Sequence, residues 1–186
     1  MNKNAPLAIF LRGINVNGRR ITMADLSGCL QVAGYTQIQT ILATGNFVCV
    51  PPAAIPPESV KADVERILTQ RFEYPATVHL RTQTALRALT NAAAQLTVAV
   101  EQHCYAVIAD TSATIDALAS AYAALPSDPL QQFSACGSDA LWVVPKGQTL
   151  SAPFGSVVLG SARYKANVTS RTISTIEKVE KTFAKS

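Results

Sequence analysis

A chain of 186 residues with 48% hydrophobic and 15% charged side chains can bury one large core or two small ones, which excludes a disordered protein. Its net charge of +4 names no partner, but the charge is uneven: residues 1–24 and 140–176 each hold four cations and no acid, whereas 25–139 hold ten acids against five bases. The apolar run Leu7 to Leu11 is too short for a signal peptide, and no stretch approaches the roughly 20 apolar residues of a spanning helix, so a soluble, cytoplasmic protein with no membrane partner is expected.

Leu7 to Leu11 reads as a strand that runs into the loop Arg12-Gly13-Ile14-Asn15-Val16-Asn17-Gly18-Arg19-Arg20. Gly13 and Gly18 permit positive φ and leave backbone N–H groups uncovered, and Asn15 adds a short hydrogen-bonding side chain among the arginines. Thr22-Met23-Ala24-Asp25 is a capping box, Leu26, Cys29, Leu30 and Ala33 follow at helical spacing, and Gly34 supplies the stop. Tyr35 to Leu42 and Asn46 to Val50 then form a hairpin about Thr44-Gly45-Asn46.

After an extended proline-rich loop, Val60, Val64, Ile67, Leu68 and Phe72 mark a second helix, Pro75 ends it, and Ala76 to Arg81 alternates as a strand. The order β-α-β-β-α-β is ferredoxin-like and closes within residues 1–81. A connecting helix from Thr82 to Ala94, with Leu86, Leu89 and Ala93 inward, lies in a linker spanning 82–102. From 103 to 186 the order begins again, although no repeat is visible in the residues themselves: a strand His103 to Ala109, a helix Thr114 to Leu125, strands Leu130 to Cys136 and Ala140 to Val144, and a short helix near Ala152 to Leu159. Thr169-Ser170-Arg171-Thr172 is expected to open a terminal helix carried by Ile173, Ile176, Val179 and Phe183, which packs near the N-terminal loops. A hydroxyl-rich, arginine-bearing helix start is an anion site in outline. The expected architecture is α+β, two ferredoxin-like halves with a connecting and a C-terminal helix.

These residues resemble the family known as domain of unknown function 1697. The likeness lies in Leu11-Arg12-Gly13-Ile14-Asn15-Val16-Asn17-Gly18, in Met23-Ala24-Asp25-Leu26, in Thr44-Gly45-Asn46-Phe47-Val48, and in Thr169-Ser170-Arg171-Thr172 with Thr175. The resemblance implies an α+β fold with ferredoxin-like halves and no established activity. The chain departs from the family pattern with Asn17 for a glycine, Thr44 for a serine, and Thr172-Ile173 for an Asn-Trp pair after the arginine. Thr44 keeps the hydroxyl, but the last change removes an amide and an aromatic plane.

Arg12, Gly13, Asn15, Thr44, Gly45, Asn46, Thr169 and Arg171 are therefore the candidate ligand-binding residues. The competing structural reading gives the same residues tight turns and side-chain-to-backbone bonds. The glycine loop lacks the spacing of a phosphate-binding P-loop, His79 and His103 sit in strands without an acidic partner nearby in sequence, and Ser170 and Ser174 have no visible base. Cys29, Cys49, Cys104 and Cys136 are far apart with no metal-ligand spacing, so buried thiols, no metal and no cofactor are expected. Three functions follow in rank order: binding of a small phosphorylated or carboxylated ligand, a single-stranded nucleic-acid-binding module, and an enzyme on an anionic substrate with no recognisable catalytic constellation.

Overall fold

A computed structural model of the chain describes residues 5–13 and 21–185. The first strand, β1 (Leu7–Arg12), is followed by α1 (Met23–Val32), β2 (Thr36–Ile41), β3 (Asn46–Val50), a 3-10 turn (Pro57–Ser59), α2 (Val60–Phe72) and β4 (Thr77–Arg81). The strands form one antiparallel sheet in the order β2-β3-β1-β4. Ile9 and Leu11 of β1 join Phe47, Cys49 and Val78 in a core with Leu26 and Leu30 of α1 and Val64 and Leu68 of α2. Ala8 and Phe10, which alternate with them, are equally buried, as are Val48 and His79. Burial on both faces explains why β1 reads as an unbroken apolar run rather than an alternating one.

Local chemistry sets the boundaries of these elements. Thr22 caps α1, its Oγ1 accepting from Asp25 N–H at 3.0 Å and donating to Asp25 Oδ2 at 2.6 Å. The chain leaves α1 through Gly34 at φ +89. The Tyr35 hydroxyl donates to Asp63 Oδ2 at 2.9 Å, and Arg66 holds the other oxygen of that carboxylate at 2.6 Å, tying the start of β2 to α2. Two side chains of α2 also accept backbone N–H groups on β4 and its approach: Thr69 Oγ1 from Ala76 and Glu65 Oε1 from Val78, both at 3.0 Å.

A connecting helix, α3 (Gln83–Ala94), buries Leu86 and Leu89. The second set of elements is β5 (Gln102–Ala109), α4 (Ser112–Ala123), β6 (Gln132–Cys136), β7 (Asp139–Pro145), a π-helical turn (Phe154–Leu159), α5 (Ala162–Lys165), β8 (Val168–Thr172) and a last helix, α6 (Ile173–Thr182). Its sheet is antiparallel in the order β6-β7-β5-β8. Phe154 anchors the core, with Tyr122, Phe133 and Trp142 at 5.2, 5.1 and 5.3 Å between ring centroids in edge-on contacts. The fold is thus mixed α+β with two four-stranded antiparallel sheets. Two compact units divide the chain: Met1–Ala85 together with Lys178–Ser186, and Leu86–Glu177.

Two expectations are corrected. Val168 to Thr172 is not the opening of a helix: it is a strand paired antiparallel with β5, with Arg171 opposite Ala106, and α6 begins only at Ile173. Hydroxyl residues serve either as helix caps or, when β-branched, as strand formers, and the sheet edge at β5 decides between them. The helix read over Ala152 to Leu159 is a wider π-helical turn.

Glycines in the two units separate obligatory from replaceable positions. A Cβ on Gly155 would stand 1.8 Å from the carbonyl oxygen of Thr149 and 3.0 Å from Trp142, whereas Gly28, inside α1, has nothing within 4 Å of that position. We expect Gly155→Ala to cost about 3 kcal/mol or more through backbone overpacking. Gly28→Ala should instead stabilise by about 0.5–1 kcal/mol, since alanine loses less backbone entropy in a helix. Urea denaturation of both variants checks the contrast.

Candidate functional site

The register of the first sheet brings one end of β1 beside the hairpin turn. Phe10 lies opposite Asn46, and Leu11 N–H donates to Gly45 O at 2.7 Å, so Arg12 and Gly13 emerge next to Thr44 and Gly45. On the other flank Arg12 lies opposite Thr77, the first residue of β4. Gly13 (φ +66) and Gly45 (φ +73) hold left-handed conformations that a side chain would strain, which is how two sharp changes of direction fit at one end of the sheet.

Asn46 is fully buried, and its Nδ2 donates to Ile41 O at 3.0 Å and to Thr44 Oγ1 at 2.7 Å. Both contacts close the hairpin, so this amide acts first as a turn-former. Thr44, by contrast, is exposed at the tip. Arg12 is partly buried, and desolvation draws its guanidinium below the ordinary arginine value while leaving it charged near neutrality.

The first unit therefore gathers Arg12, Gly13, Thr44, Gly45 and Asn46. Asn15, with Asn17, Gly18, Arg19 and Arg20, lies outside the described residues. Thr169 and Arg171 belong to the second unit, where Arg171 Nη1 donates to Thr169 Oγ1 and to Ser170 O, both at 2.8 Å. These bonds lie along β8, and Thr169 is buried. The hydroxyl at the true start of α6 is Thr172, whose Oγ1 meets Thr175 Oγ1 at 2.9 Å and Ser174 Oγ at 3.1 Å.

A buried polar residue in the second unit escaped the sequence reading. Asp139 is 3% exposed at the first position of β7, opposite Ile108, and its Oδ1 accepts from Ala109 N–H at 3.4 Å. It occupies the position in its sheet that Asn46 occupies in the first, each opening the strand after a hairpin turn containing a positive-φ glycine. That shared placement was the available signal.

Among the described residues no group of three or more His, Cys, Asp or Glu side chains is placed to hold a metal ion, and no helix is long and apolar enough to cross a membrane. All four cysteines are free thiols. Burial pushes the Cys49 thiol up to about 12 and the Cys104 thiol up to about 11.

A family model matches residues 5–133, more than half of the chain. The chain belongs to the family described as protein of unknown function (DUF1697). Among curated proteins none matches this DUF1697 chain. Among solved structures it is similar to a conserved bacterial protein from Streptococcus pneumoniae, with a TM-score of 0.77 at 15% identity, over 97% of this chain and 98% of that one. At that identity the likeness shows the fold alone.

Two outcomes follow from the site's geometry. Asn46→Ala removes both hairpin bonds and leaves the Ile41 carbonyl without this donor, which should cost about 1–3 kcal/mol in urea unfolding. The raised Cys49 thiol favours the protonated folded state, so its stabilising contribution is fully present below pH 9 and is lost as pH rises toward 12. Over that window Cys49→Ala should show a shallower fall of the unfolding midpoint with pH than the parent protein.

Proposed function

We propose that the protein binds a small phosphorylated or carboxylated ligand at the loop end of the first sheet. The observation that carries this reading is the junction of Arg12 and Gly13 with the Thr44-Gly45-Asn46 turn, fixed by the 2.7 Å bond from Leu11 to Gly45. A partly desolvated guanidinium attracts an anion more strongly than an exposed one, and adjacent glycines let backbone N–H groups approach it. Arg12 supplies the charge, Thr44 a hydroxyl at the turn's tip, and Asn46 the rigidity that holds the turn in place. Thr169 and Arg171, which belong to the second unit, enter on their sequence alone, as does Asn15.

The same reading takes each half as ferredoxin-like, over 1–81 and 103–186 with a connection at 82–102, a view supported by the strand orders β2-β3-β1-β4 and β6-β7-β5-β8. It takes the setting as cytoplasmic, supported by the free thiols. The nucleic-acid reading finds no support in the sheets: Ala8, Ile9, Phe10 and Leu11 of β1 and Ala106, Val107, Ile108 and Ala109 of β5 are all fully buried, so neither central strand offers an open stacking face.

Thermal denaturation against inorganic phosphate, phosphorylated metabolites, carboxylates and short oligonucleotides tests the proposal. A small anion should raise the midpoint in proportion to saturation, and Arg12→Ala should abolish the rise. The same panel on Arg171→Ala asks whether the second unit contributes. A rise confined to oligonucleotides, falling steeply with salt, or a rise untouched by Arg12→Ala, would overturn it.

A further inference from the structure

A cleft with a volume of about 330 Å³ lies wholly within the second unit, and none of the candidate ligand-binding residues lines it. One wall is the end of α3, where Ala93 and Ala94 present only methyl groups; the others are the start of β5 and the junction of β8 with α6. By volume the cleft would hold roughly ten waters, or a small organic molecule.

The polar groups lining this cleft come from β5 and β8, from α6, and from Thr90 of α3. Tyr105 pairs with Thr172 across the β5–β8 ladder, so His103, two residues earlier on β5, stands just past the last paired residue of β8 and level with the opening turn of α6. There the Thr172 and Ser174 hydroxyls touch at 3.1 Å, and Glu177 follows Ser174 at a spacing of one helical turn, on the same helix face. Imidazole, hydroxyls and carboxylate can all accept hydrogen bonds. Among the described residues no lysine or arginine lines the cleft, and Glu177 is the formal charge there.

We propose that this cleft binds a small hydroxyalkyl ammonium compound, its cation on the Glu177 carboxylate and its hydroxyl among His103, Thr172 and Ser174. The arrangement opposes that of the Arg12 loop: one end of the chain offers a cation for an anion, and this cleft offers an anion for a cation. Its apolar wall of Ala93 and Ala94 suits the carbon stem between the two polar ends. The N–H groups opening α6 would instead favour an anion, and the test separates the two signs.

The experiment is isothermal titration calorimetry of the full chain with ethanolamine, with diethanolamine, and separately with inorganic phosphate. It uses wild type, Glu177→Gln, and Ala94→Phe, which fills the cleft. Glu177 and Ala94 are exposed, so both variants should fold. The expected result is binding of the amines by wild type, weakened about tenfold or more in Glu177→Gln for loss of a charge-assisted bond, and lost in Ala94→Phe. No heat from wild type with up to millimolar amine, or amine binding that both variants retain, overturns the proposal. Phosphate binding that Ala94→Phe removes and Glu177→Gln strengthens overturns the sign of the ligand.

Discussion

The structure depends on two central strands that are buried on both faces. In β1, Ile9 and Leu11 point to a core with α1 and α2, while Ala8 and Phe10 point the other way and are equally inaccessible. In β5, Val107 and Ala109 face the aromatic core around Phe154, while Ala106 and Ile108 are buried opposite. Full burial stabilises each sheet by roughly 1.5–3 kcal/mol per large apolar side chain. It also confines polar chemistry to strand ends, turns and helix junctions, because a polar group in the middle of either strand would be desolvated without a partner.

Those ends are where the unusual residues gather. Asn46 and Asp139 open the strands that follow the two hairpins, and both are buried polar groups bonded to nearby backbone. Removing either would uncover a backbone partner as well as the side chain. The two sheets thus repeat a device although no repeat can be seen in the residues. Physical chemistry accounts for the repetition without an appeal to similar sequence: a tight turn with a positive-φ glycine needs an adjacent polar side chain to satisfy groups that the turn leaves over.

Elements with redundant signals were legible in the sequence. The capping box at Thr22 and Asp25, the apolar spacing of Leu26 and Leu30, and the glycine at position 34 all mark α1, and the structure has each of them. The hairpin at Thr44-Gly45 was equally plain. β8 was not, because Thr169, Ser170 and Thr172 are as suited to capping a helix as to lining a strand, and the deciding partner, β5, lies some 60 residues earlier in the chain. Asn46 was legible as a polar residue in a special place, but its part in closing the hairpin, through bonds to Ile41 and Thr44, was not. Only the register of β5 against β8 brings Ser174, with Glu177 one helical turn further on, beside His103.

Arg12 is a charge at the hairpin end of the first sheet whose position follows from the register. The most direct measurement is a two-dimensional amide NMR titration with inorganic phosphate at low salt. The expected result is a saturable displacement of the Arg12, Gly13, Thr44 and Gly45 amide signals, with β5 and β7 unmoved. Displacements confined to other residues, or none at millimolar phosphate, would contradict an anion site at that end of the sheet.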